Sequence, residues 1–259
     1  MKHRALFAAA ALVLPALALP ARAELIDEIQ VYTDDINAPG EFGLELHVNT
    51  TLRGRRAPDY PGEVVPDRGL RLTPEFSWGL SRNWEAGLYL PVSRDASGNT
   101  QAAGAKLRLK WLPLRPEEGA TGWFAGANGE LSRLKKQFSE SRSTFELRLM
   151  GGWRSPEWLL AVNPVFGWNL SDGLRSAAAD LSFGAKVARN VGKGVAAGLE
   201  YYSDLGTTRR LLAPGDRAQV LYVALDARIH GWDLNAGIGR GLTHAADRTT
   251  LKAIVGFPF

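Results

Sequence analysis

The 259-residue chain contains no cysteine. No disulfide can staple its fold, and thiol catalysis and thiolate-bound metal are both excluded. Histidine occurs four times and methionine twice, so imidazole chemistry has few residues to draw on. Beyond the first 23 residues no apolar run reaches the ~18 residues of a transmembrane helix. There is no glycine-rich phosphate loop and no repeat longer than a hairpin.

An excess of one charge is also missing from the expected mature chain. Lys2, His3 and Arg4 precede an apolar run from Ala5 to Leu19, and Ala21-Arg22-Ala23 follows. This is the pattern of a cleaved secretory signal peptide over 1–23. That leader carries three of the 31 basic side chains and none of the 27 acidic ones. The mature chain is therefore nearly neutral, and no nucleic-acid partner is expected.

What is present is alternation with period two, the signature of strands with unlike faces. Leu70, Leu72, Phe76, Trp78 and Leu80 interleave with Arg71, Thr73, Glu75, Ser77 and Gly79. Ala105, Leu107, Leu109 and Trp111 interleave with Lys106, Arg108 and Lys110. The same pattern recurs down the chain and predicts about twelve strands. Short turns such as Ser81-Arg82-Asn83 and His230-Gly231 alternate with long polar connections such as Thr51 to Arg68. Seven tryptophans lie beside the short turns: Trp78, Trp84, Trp111, Trp123, Trp153, Trp158 and Trp232. Only Trp168 lies near a long connection. Indole prefers the headgroup level of a bilayer. The expected fold is therefore all-β, a transmembrane antiparallel up-and-down β-barrel of about 12 strands over 41–259. Outer-membrane lipid is the expected surroundings. Pro74, Pro91, Pro164 and Pro258 interrupt the pattern and are expected at bulges or strand ends.

In such a barrel the polar face lines the lumen. It carries Glu45, His47, Asn49, Arg71, Glu75, Glu85, Tyr89, Lys106, Arg108 and Lys110. It continues with Glu130, Glu146, Arg148, Asp180, Lys186, Glu200, Tyr202, Asp226, Asp233 and Lys252. Seven cations face nine anions in this set. A ring of one sign would point to ion selectivity, whereas mixed signs point to ion-pair networks bracing the wall. The stripe Lys106, Arg108, Lys110 either attracts anions or pairs with Glu85 and Glu130. Residues 24–40 form an N-terminal segment placed in the periplasm or plugging the lumen. Leu25, Ile26 and Ile29 suit a short amphipathic helix, and Ile29 to Tyr32 suits an extra strand.

Enzymatic and metal chemistry find little support. Beyond the leader the histidines are His47, His230 and His244. Ser77 faces inward near His47, but no nucleophile motif surrounds it. Glu45 and His47 point the same way, yet zinc needs three or four protein ligands. Asp34, Asp35 and Asn37 lack the glycine and terminal glutamate of a calcium loop. No cofactor is expected.

Three segments carry a family resemblance: GLEYYSD at 198–204, GAKLRLKW at 104–111, and GRGLT at 239–243 before a Phe-terminated strand. They resemble uncharacterised Gram-negative outer-membrane barrels related to the "MetA-pathway of phenol degradation" group. The resemblance implies an outer-membrane barrel and a route for small organic solutes, and brings no catalytic residues. The terminal Phe259, with Phe257 and Val255 on its face, resembles the signal that such barrels present to the barrel-assembly machinery. The expected function is passive or weakly selective passage of small solutes. The alternatives are a closed structural barrel acting through its surface loops, and an outer-membrane hydrolase.

Overall fold

The computed structural model describes residues 27–117, 119–175 and 177–257. The expected leader at 1–23, residues Leu25 and Ile26, and the terminal Pro258 and Phe259 lie outside the described residues. The chain forms β1 (Phe42–Arg53), β2 (Leu70–Ser81), β3 (Trp84–Tyr89), β4 (Val92–Arg94), β5 (Thr100–Ala102), β6 (Gly104–Leu114) and β7 (Gly122–Leu134). It continues with β8 (Ser143–Arg154), β9 (Trp158–Asn169), β10 (Asp180–Gly192), β11 (Val195–Thr207), β12 (Gln219–Ile229), β13 (Trp232–Gly241) and β14 (Thr249–Phe257). All pairings between them are antiparallel. β1 pairs with β2 through Phe42↔Trp78 and with β14 through Leu44↔Phe257, so the sheet closes on itself. Closure leaves no free edge, which a sheet in hydrocarbon requires.

Fourteen strand segments make twelve staves. β3 and β4 are one stave broken at Leu90–Pro91, and β5 and β6 are one stave broken at Ala103. The ladder survives the breaks: Leu90 N–H donates to the Pro74 carbonyl (3.1 Å) and Ala103 N–H to that of Pro91 (2.7 Å). The expectation for the prolines needs correction. Pro91 does lie at a break, but Pro74 and Pro164 are inside β2 and β9. A proline is tolerated where no ladder donor is called for. The β8–β9 ladder has no pairs between Arg148↔Val165 and Gly151↔Val162, so Pro164 is unpaired toward β8 while it pairs with Phe183 of β10. Pro74 lies beside the broken stave.

The two faces decide where this barrel belongs. On β6, Leu107 is 61% exposed and Leu109 45%, while Lys106, Arg108 and Lys110 are buried. The same inversion recurs on β7, where Leu131 is exposed and Glu130 buried, and on β11 with Leu199 and Glu200. A soluble protein hides its leucines and exposes its lysines. The inversion is what hydrocarbon outside and polar groups inside demand, since a midplane Arg or Lys facing lipid costs about 2–4 kcal/mol.

At the short-turn end Trp78, Trp84, Trp111, Trp123, Trp158 and Trp232 are exposed on the outer surface, and Trp153 is half-buried beside them. They are joined across the ladders: Phe42 stacks on Trp78 (5.5 Å) and Trp84 on Trp111 (5.9 Å), while Trp232 meets Phe257 at 4.9 Å. Trp123 lies opposite Trp153. Cross-strand aromatic pairs add to ladder stability. Trp168 stands apart near the long-loop end, stacked with Phe145 and Phe166.

Candidate functional site: the filled lumen

Asp27 to Asn37 run along the inner wall of the barrel, and Ala38 to Gly40 are exposed beside Gly79. Neither the amphipathic helix nor the extra strand proposed for this stretch is present among the described residues. The physical reason is that inward side chains of the wall, rather than a ladder, satisfy its backbone. Asn163 accepts from Tyr32 N–H (2.6 Å) and donates to the Tyr32 carbonyl (3.0 Å). Asn49 donates to the carbonyl of Asp27 (2.9 Å), Lys252 to that of Ile29 (3.1 Å), Arg148 to that of Gln30 (3.1 Å) and Lys110 to that of Asp35 (3.1 Å). Asn37 N–H donates to Glu85 Oε2 (2.8 Å). These partners come from six different strands around the wall, so the segment is held on all sides.

Its own side chains pack against the wall. Tyr32 is buried, and its hydroxyl lies 2.7 Å from that of Tyr89. Arg148 lies 4.5 Å from the Tyr32 ring centroid, Lys110 5.0 Å and Arg108 5.8 Å. Each of these cations gains a π-face contact worth about 0.5–2 kcal/mol, depending on how dry the site is. Below the ring sit Leu112, Met150 and Ile36, and on the opposite side Val31 packs against Phe124 and Ala161. Two ion pairs anchor the ends: Asp27 with Lys106 (2.9 Å) and Asp34 with Arg154 (2.5 Å).

The segment enters past Gly79. Gly40 N–H donates to the Gly79 carbonyl (2.7 Å), and Gly79 N–H donates to that of Glu41 (3.0 Å). A Cβ on Gly79 would meet the Ala38 carbonyl oxygen at 2.0 Å. Only a glycine lets the backbone pass this close.

The lining residues gather into networks. Arg108 bridges Glu75 (2.6 Å) and Glu85 (2.7 Å), and Lys110 is 3.6 Å from Glu85. Glu75 also bonds His47 (3.0 Å), with Glu45 beside it. Lys106 approaches Glu130 (3.3 Å), and Arg148 pairs with Glu146 (3.0 Å). Across the lumen Glu200 bonds Lys252 and Lys186, Lys186 bonds Asp226 (2.7 Å), and Tyr202 O–H donates to Glu200 (2.6 Å). Arg71 and Asn49 are buried between these groups. Two residues lie apart. Asp180 is at the long-loop end, opposite Thr207, and Asp233 is exposed at the short-turn rim, paired with Arg228 (2.7 Å).

Sequence reasoning lists the wall but misses the plug's own contributors. Tyr32, Asp27 and Asp34 escape it because alternation shows which face a side chain takes, not what crosses the lumen, and Asn163, on the wall strand β9, is not picked out either. One signal was legible: Asn163 interrupts an apolar stretch next to Pro164, where a polar side chain needs a partner. Ser77 and His47 are not brought together. Ser77 accepts from Asn37 (2.8 Å) while His47 bonds Glu75.

Asn163→Ala should loosen the plug without touching its path. It strips partners from two buried backbone groups, at about 1–3 kcal/mol each. The closed-to-open ratio of single barrels in planar bilayers should fall at least tenfold. An unchanged ratio would show that Asn163 does not hold the segment.

No protein-family model matches this chain, and no curated protein matches it. Solved structures do. The COG4313 outer membrane channel from Pseudomonas putida F1 is 15% identical, with 90% of this chain and 100% of that one covered and a TM-score of 0.59. The KdgM porin is 10% identical over 84% and 99% of the two chains, with a TM-score of 0.53. The same porin in complex with disordered oligogalacturonate gives 10% identity, 85% and 99% coverage, and a TM-score of 0.50. This chain shares with them the β-barrel fold.

Proposed function

We propose that this protein is an outer-membrane channel for small solutes whose lumen is held shut by residues 27–40. The observation that carries the reading is the manner of closure. The plug is one continuous, strand-free segment tethered by side chains, and the wall behind it is polar and charged. A barrel built only as a scaffold needs no such separable element. In this reading the short-turn end faces the periplasm and the long loops face outward. The leader at 1–23 directs export, the strand ending in Phe259 is read by the barrel-assembly machinery, and the solutes are small organic molecules, as the resemblance to the phenol-pathway group suggests.

The long connection between β1 and β2 supports gating at the outer mouth. Its Val64 N–H donates to the Gln137 carbonyl (2.9 Å), so it leans across onto the β7–β8 loop. Arg55 braces it through Glu63 (2.6 Å) and Asp59 (3.2 Å), and Arg56 through Asp67 (3.1 Å). The alternative of a closed barrel acting through its loops draws on the same ordered connection.

The test is electrical and osmotic. Purified protein in planar bilayers should show brief openings, and liposomes carrying it should swell slowly in small neutral solutes. Barrels that stay sealed in both assays, with and without the plug, would overturn the channel reading.

A further inference from the structure

The wall holds a group of side chains that makes no hydrogen bond or ion pair with residues 27–40 among the described residues. The β1–β2 register sets Glu45 directly opposite Glu75 on the inner face. Like charges in that position are destabilising, and Arg108, which bonds Glu75, makes no ion pair with Glu45 among the described residues. His47 follows Glu45 at the next inward position of β1. Its Nε2 lies 3.0 Å from Glu75 Oε2 and 3.8 Å from Glu45 Oε2. All three candidate ligand atoms fall within 4.8 Å of one another.

These spacings are close to those of a coordination shell. Two ligands bound at about 2.0–2.1 Å and spread at the tetrahedral angle stand about 3.3 Å apart. The Glu45 side chain, which is 37% exposed, is free to move inward and complete the set. Glu75 is already oriented for the task. Arg108 Nη2 holds its other oxygen, Oε1, at 2.6 Å and leaves Oε2 toward His47. Ligating carboxylates are typically fixed in this way by a hydrogen bond from outside the shell. A neutral imidazole and two carboxylates match a doubly charged ion, and Glu28 adds a further negative charge facing His47 and Glu75. Arg108 and Lys110 do not oppose it alone, because Glu85 lies within 2.7 Å of the first and 3.6 Å of the second. Two further buried polar atoms at this level, His47 Nδ1 and Thr73 Oγ1, have no protein hydrogen-bond partner. Thr73 is the residue opposite His47 in the ladder.

We propose that Glu45, His47 and Glu75 bind one borderline divalent cation, of which zinc is the type, clipping β1 to β2 on the inner wall. One nitrogen and two oxygens suit zinc better than magnesium, which prefers six oxygens. The site is independent of whether the barrel conducts.

Titration of zinc chloride into the mature barrel in detergent, prepared without a histidine tag, tests it. The intact protein should take up one equivalent, and magnesium should not compete. X-ray absorption should show one imidazole nitrogen among oxygen ligands. Glu45→Gln should weaken binding at least about tenfold, and His47→Ala should abolish it. If His47→Ala does not fold, Glu45→Gln still decides the matter, because it leaves the Arg108–Glu75–His47 chain intact. No uptake by the intact protein, or equal uptake by Glu45→Gln, would overturn the proposal.

Discussion

Deleting residues 27–36 is expected to turn a barrel that opens briefly into one that stays open. The remaining 37–41 stretch keeps its anchor at Gly79, through the Gly40–Gly79 and Gly79–Glu41 backbone bonds. Deletion removes Tyr32, the group that fills the lumen against Tyr89, Arg108 and Arg148. The wall should not collapse into the space. Arg148 keeps Glu146, Lys106 keeps Glu130 and Lys110 keeps Glu85 when their plug partners are gone. Twelve staves about 4.8 Å apart and tilted by about 40° give a backbone cylinder about 24 Å across. After the inward side chains are subtracted, a path of several ångströms remains. Single-barrel conductance should rise several-fold in time average, and liposome swelling should accelerate in step. A deletion variant that folds and remains sealed would show that the wall networks themselves close the lumen. The structural-barrel reading would then replace the channel.

The second large effect concerns stability. Glu200→Gln should cost about 3–5 kcal/mol, the usual consequence of removing one partner from a buried ion pair. Glu200 is the hub of the far network, bonded by Lys252, Lys186 and Tyr202. Its side chain and that of Lys252 are each 1% exposed. Lys186 retains Asp226, but Lys252 loses its only carboxylate partner among those shown and keeps the Ile29 carbonyl (3.1 Å). The loss should appear as a lower denaturant midpoint in detergent or lipid. Adding Lys252→Met should recover much of it, since a buried pair replaced by apolar groups is often neutral. An unshifted midpoint for Glu200→Gln would mean that water reaches this carboxylate in the working barrel, and that the lumen is wetter than the burial of Glu200 indicates.

The strands were legible because a transmembrane barrel writes its two solvents into alternate residues. Leu107, Leu109 and Trp111 must meet lipid, and Lys106, Arg108 and Lys110 must not, so composition along β6 names both faces. Tandem strands joined by short turns also make the topology readable, since each strand pairs with its neighbours in sequence. The prolines were less legible. Whether a proline disrupts a strand depends on which neighbouring donors are in use, and that is a property of the register. The strand alternative for the N-terminal stretch failed for a related reason, and of the helix alternative only Ile29 lies among the described residues. Local pattern weighs only local partners, whereas Ile29, Gln30 and Tyr32 find theirs more than a hundred residues away, on Lys252, Arg148 and Asn163.

Alone, then, the amino-acid order determined that this chain has an oily outside and a charged inside, because each residue's transfer cost between hydrocarbon and water is a property of that residue. Only the closed cylinder decided which charges meet, that Glu45, His47 and Glu75 converge, and that the stretch before the first strand finds its partners on the inner wall. Those outcomes depend on distances across a cavity, and such distances exist only once the last strand has paired with the first.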